Sequence, residues 1–255
     1  MKVWKKAPFG FSVRMREVVT NLSPFPTAIA NDGHNFNLLY YTRVCSKDQP
    51  FMDISFIPAL IGIIIGISVH EAAHAWTAWK LGDPTAKYEG RVTLNPIAHL
   101  DPLGTLFIIF TLLQGFGIGW GKPTPFNPWN LKNPRRDSAL ISLAGPISNL
   151  ALAALLALII RFVPALAGFL FLIIVINVSL AIFNLVPVSP LDGFKIVGGL
   201  LPPKTALSWY SLERYGIFFL ILLILPFGGF SIIGRFIFPI ISFILNLLLA
   251  GNNII

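Results

Sequence analysis

Two histidines and a glutamate stand at positions 70, 71 and 74, inside the apolar stretch ISVHEAAHAW (residues 67–76). On a helix, residues four apart share a face, so the His70 and His74 imidazoles can reach one metal ion. Glu71 lies beside that face, placed to accept a proton from a water on the metal. Zinc lowers the pKa of such a water to about 7, which makes a nucleophile at neutral pH. The competing reading is a pair of helix-packing histidines with a glutamate partner. Burying ionisable groups in an apolar helix costs about 2.5–3.5 kcal/mol each on insertion scales, which favours a functional reason for all three.

A catalytic zinc usually has three protein ligands plus water. His99, Asp101 and Asp192 are the candidates for the third. Asp192 follows a hydrophobic run in FNLVPVSPLDGFKI, beside Gly193, where Pro187 and Pro190 interrupt helix. Irregular backbone at membrane depth is tolerated only in protein or water, so these residues suit a polar cavity. A turn-forming Asp-Gly is the other reading of Asp192, and both stand on local sequence. His99 reads as a loop residue or a partner of a ligand rather than a ligand itself.

The elements that must carry these groups are membrane helices. Of the 255 residues 55% are hydrophobic and 12% charged, with mean hydropathy +0.74. Soluble domains run about 45–50% apolar with about a quarter charged. The net charge of +8 sits between apolar runs, where it sets topology and gives no reason to expect nucleic acid. A single cysteine, Cys45, excludes an intrachain disulfide and a cysteine-based metal site.

Apolar runs fall at residues 56–81, 103–120, 138–162, 165–187, 215–227 and 230–250. Polar loops at 80–102, 121–137 and 188–204 lie between them. The predicted fold is all-α: a polytopic bundle of about five spanning helices, one re-entrant or half-inserted segment and a short glycine-rich β-like element. Residues 1–52 form a poorly defined extension, 53–205 the core and 206–255 two C-terminal membrane helices.

HExxH in a membrane helix, followed by Asn184-x-x-Pro187-x-x-x-Leu191-Asp192-Gly193, resembles the site-2 protease family of intramembrane zinc metalloproteases. HLDPLGTL (99–106) and GWGKPTPFNP (119–128) are similar to its compact prokaryotic branch, which has no PDZ domain. The resemblance covers roughly residues 53–205. It implies one Zn2+ per chain held by His70, His74 and Asp192, with Glu71 as catalytic base. It implies a transmembrane protein or peptide substrate, cleaved in or near its membrane segment; the apolar runs predict a multi-pass position in the plasma membrane, and the basic loops beside the motifs put the site toward the cytoplasm.

The resemblance also assigns substrate contacts. The glycine-rich stretch, with Gly117 and Gly119, would pair with an unwound substrate, and Asn184 would stand near it. Asn149, in AGPISN (144–149), would bond a substrate backbone or join two helices. Two further classes remain: a membrane metal-binding or transport protein using the same ligands, and an inactive protease-like scaffold. Intact Glu71 argues against the scaffold.

Sharing one ion places His74 and Asp192 in the same leaflet, so the chain crosses an even number of times between them. Three apolar runs intervene, so one does not cross. The shortest, 103–120, is predicted to dip in and return.

Overall fold

The structure is a computed structural model that describes residues 56–114, 119–227 and 230–250. The extension 1–52 and Gly117 lie outside the described residues.

Helix α1 (Phe56–Lys80) carries the HExxH sequence. No proline interrupts it beyond its first turn, and its small residues recur at helical spacing. A Cβ on Gly62 would stand 3.2 Å from Ile173 Cα, and one on Gly66 would stand 2.7 Å from Leu180 Cδ1. Lipid supplies no hydrophobic drive between helices, so close backbone approach at small residues does the packing. It seats α1 on helix α5 (Ala167–Asn184). Helix α4 (Pro134–Phe162) packs against both. Its amino end opens with Pro134, whose missing N–H costs nothing there, and Asp137 Oδ2 accepts from the Asn133 amide at 2.8 Å. The main core gathers where α4 and α5 meet, around Ala153, Ala157, Ile174 and Val178.

After α1 the chain forms the short helix α2 (Thr85–Tyr88) and then α3 (Pro102–Gln114). Thirteen residues span about 20 Å at 1.5 Å per residue, short of the ~30 Å hydrocarbon core. The chain then comes back to where it left: Leu100 and Gly121 form an antiparallel bridge, and the Lys122 amide donates to His99 O at 2.8 Å. Gly104 lies against the Trp120 carbonyl and Gly119 against Ile108, so the return runs back along α3.

Beyond α5 lie α6 (Asp192–Leu200), α7 (Pro203–Tyr210), α8 (Gly216–Ile224) and α9 (Ile232–Leu249). The stretch 188–204, expected as loop, is therefore largely helical. Its glycines are contact points. A Cβ on Gly193 would collide with the Leu185 and Val186 carbonyls, and one on Gly199 with Ala139.

Among the described residues four helical runs are long and apolar enough to cross a membrane: Phe56–Lys80, Pro134–Phe162, Pro164–Asn184 and Pro203–Ile224. Pro102–Leu113 and Gly234–Leu249 are apolar but shorter. Strand pairing among the described residues is confined to the bridge at Gly121 and a two-residue hairpin, Pro226–Phe227 with Phe230–Ser231.

Candidate metal centre

Asp192, the first residue of α6, is brought to the His face of α1 across 122 positions of sequence. Its Oδ2 lies 3.0 Å from His70 Nε2 and 3.2 Å from His74 Nε2. Among the described residues these three form a group whose ligand atoms all lie within 4.8 Å of one another. His99 and Asp101 stand elsewhere. His99 is buried and bonded through Nε2 to Thr93 O at 2.8 Å; burial pushes its imidazole below the ordinary histidine range and keeps it neutral. Asp101 accepts from the Gly104 amide at 2.7 Å, at the start of α3.

The proton on each ring is dictated by what lies behind it. His74 Nδ1 is 2.7 Å from Ile141 O. A carbonyl can only accept, so Nδ1 carries the hydrogen and Nε2 presents a lone pair when the ring is neutral. His70 needs one more step. Asn149 lies 0% exposed, with Nδ2 donating to Gly66 O at 3.0 Å and to Asn177 Oδ1 at 2.9 Å. The Gly66 carbonyl fixes which way that amide points. Asn149 Oδ1 therefore faces His70 Nδ1 at 2.6 Å and accepts its hydrogen. Asn177 is anchored in turn by Nδ2 to Ile173 O at 2.9 Å.

Two bare imidazole nitrogens and a carboxylate oxygen thus converge, an arrangement that repels itself unless a cation is shared. A tetrahedral zinc with ligand bonds of about 2.0–2.1 Å holds its ligands about 3.3 Å apart, close to the two distances from Asp192 to the histidines. Gly145 completes the cradle: a Cβ there would stand 2.6 Å from His70 Nε2 and 2.6 Å from His74 Cε1. The donor set, its spacing and this cleared wall fit a zinc ion.

Glu71 sits beside the cluster, facing a cleft of about 420 Å³ that the three ligands also line. Its Oε2 accepts the Thr124 amide at 2.8 Å, and Thr124 Oγ1 donates to Glu71 O at 3.0 Å. Oε1 has no hydrogen-bond partner among the described residues, so one carboxylate oxygen is held and the other is free. Gly119 and Asn184 line the cleft. Asn149 does not: its oxygen and both its amide hydrogens are engaged inside the bundle, so it sits behind His70 instead of touching substrate.

The glycine-rich stretch is more constrained than its sequence suggested. The Lys122, Thr124 and Asn127 amides bond His99 O, Glu71 and Asp83. Pro123 and Pro125 have no amide hydrogen, and the buried Arg91 guanidinium takes the Lys122 and Pro123 carbonyls. Arg91, unmarked by any motif read in the sequence, thereby helps to fix the segment that holds Glu71.

The profile of Peptidase family M50 matches residues 164–225, which include Asn184 and Asp192. Three relatives bear the provisional name of zinc metalloprotease. YwhC of Bacillus subtilis (strain 168) is 40% identical over 194 residues, 71% of this chain and 86% of that protein. Rip2 of Mycobacterium tuberculosis (strain ATCC 25618 / H37Rv) is 33% identical over 178 residues, 67% of each chain. MJ0611 of Methanocaldococcus jannaschii is 30% identical over 155 residues, 58% of this chain and 72% of that protein. No solved structure matches the chain.

Proposed function

The chain belongs to peptidase family M50, the site-2 protease family, and on that premise we propose that it is an intramembrane zinc endopeptidase. Its substrates are membrane proteins, cut in or near a transmembrane segment. The observation that carries this reading is the pair of imidazoles whose Nδ1 hydrogens are claimed by Asn149 and Ile141, leaving both Nε2 atoms for a metal beside a half-free Glu71.

Zinc, when bound, supplies a Lewis acid that activates water and polarises the scissile carbonyl. His70, His74 and Asp192 would hold it. Glu71, steadied at Oε2 by the Thr124 amide, takes the proton of the attacking water at Oε1 and passes it to the leaving amine. The cleft admits an unwound peptide, since a helix keeps its carbonyls engaged in hydrogen bonds. Backbone pairing with that peptide falls at Gly119 to Gly121, because most donors from Lys122 to Asn127 are already used within the protein. Asn184, in the cleft wall, bonds Leu180 O through Nδ2 and keeps its oxygen for substrate.

Residues 53–205 form the protease core in this reading, and 206–255 add two C-terminal membrane helices. Five spans and one re-entrant segment, α3, satisfy the shared leaflet. Positive-inside then puts Lys80, Lys87, Lys122, Lys132, Arg135 and Arg136 at the cytoplasmic face of the plasma membrane.

The test is Glu71→Gln in purified protein against a peptide with one transmembrane helix. Retained zinc with cleavage abolished is expected. Undiminished cleavage would remove Glu71 as the base.

A further inference from the structure

One charge in the cleft has no role in the chemistry above. Lys195 lies on α6 three residues past Asp192, on the same helix face and about 4.5 Å farther along the axis. It is half-buried and lines the cleft. Its Nζ stands 4.9 Å from the centre of the Phe126 ring, on the segment that forms the opposing wall. A cation over an aromatic face is attracted to it, which holds the ammonium at the cleft without neutralising it. No carboxylate among the described residues pairs with it; the ion pairs found are those of Asp192 with His70 and His74.

Charge accounting sharpens the point. Among the described residues the ionisable groups lining the cleft are Glu71, Asp192, Lys195 and the two histidines. With a divalent ion bound, Asp192 and Glu71 cancel its charge. Lys195 then sets the sign of the whole cleft. Beside the apolar wall of Ile67, Phe183, Leu220 and Ile224, an unbalanced cation acts more strongly on what enters than it would on an open surface.

We propose that Lys195 is a specificity-determining residue that selects substrates with an acidic side chain, Asp or Glu, within a few residues of the scissile bond. The inference rests on the protease reading. A matching carboxylate on the peptide pairs with the ammonium as the chain unwinds into the cleft, and a basic side chain at that position is repelled.

The test uses the full-length protein with zinc bound and three sets of transmembrane peptides in detergent. They are identical except for one residue, Glu, Gln or Lys, moved position by position through a helix-breaking centre. At the responsive position wild type is expected to cleave the Glu peptide about tenfold better in kcat/KM than the Lys peptide, with Gln between and the spread shrinking as salt rises. Lys195→Gln flattens the series and Lys195→Glu inverts it. Each ratio is internal to one variant, so a change in the amount of active protein does not affect it, and either variant alone decides. The same ratios in wild type and variant, or a uniform loss across the three peptides, overturn the inference while leaving the protease reading intact. Cleavage of none of them by wild type overturns both.

Discussion

His70 and His74 could be read from their spacing because a helix turns four-residue separation into proximity whatever surrounds it. Asp192 was one of three candidates until a paired motif singled it out, since its proximity depends on how α6 returns to α1. Sequence leaves Asn149 between a substrate contact and a bond joining helices, because the choice is set by Gly66 and Asn177 on two other helices. Hydrogen bonds between membrane helices average about 0.6 kcal/mol, so this network adds little stability. What it decides is which nitrogen of His70 carries the hydrogen. Asn149→Ala leaves His70 Nδ1–H without its acceptor and frees the ring to turn or to change tautomer. Partners of metal-bound histidines are worth about 10–100-fold in metal affinity, and a loss of that size is expected in competition with a chelator. Asn177→Ala, one bond farther out, should cost less. An Asn149 variant that holds zinc as tightly as wild type would show that the ring is oriented by packing alone.

At the scale of elements, apolar runs located the long helices, and their ends shifted where polarity and helix part company. The run read from 138 begins as helix at Pro134, since Pro134 suits the first helical position and Asp137 accepts from the Asn133 amide, neither of which hydropathy counts. The run read to 187 ends at Asn184, ahead of Pro187. Helix α6 was hidden by its glycines, whose packing against Leu185, Val186 and Ala139 depends on tertiary contacts. The loops beside the site are fixed mainly by Asp83. Its fully buried carboxylate accepts from Thr85 N at 3.2 Å, Thr85 Oγ1 at 2.6 Å, Asn130 Nδ2 at 2.7 Å and Asn127 N at 2.6 Å. Burial alone would raise its pKa, but these donors together hold it below the ordinary 3.8. A carboxylate with a depressed folded pKa contributes stability above its unfolded value and loses it as pH falls through the folded one. Asp83→Asn should therefore lower the melting temperature at pH 7, by the equivalent of about 1.5–3 kcal/mol for hydrogen bonds to a charged group. The gap between wild type and variant should persist down to pH 3.8 and close only below it. A gap that closes near neutral pH would mean another group is responsible.

The whole molecule is constrained by parity, which neither a motif nor a single helix reveals. His74 and Asp192 meet, and α4 and α5 between them are both long enough to span. In the proposed topology the remaining segment, α3, enters and leaves on one face, and two observations support it. It is about 20 Å of helix, and the residues flanking its excursion, Leu100 and Gly121, are bridged. A segment whose ends are paired cannot place them on opposite sides of a bilayer. That topology predicts Lys87, in α2, and Lys132, ahead of α4, on the same face, with Val163 after α4 on the other. Single cysteines at the three positions, in a Cys45→Ser background, can be labelled in oriented vesicles with a reagent that does not cross the membrane. Cysteines at 87 and 132 should label from one side and the cysteine at 163 from the other. Opposite sidedness of 87 and 132 would require α3 to cross, which would separate Asp192 from the histidines and dismantle the zinc site along with the protease reading. The distances at the site and the path of the chain through the membrane are therefore one claim, and this labelling tests both.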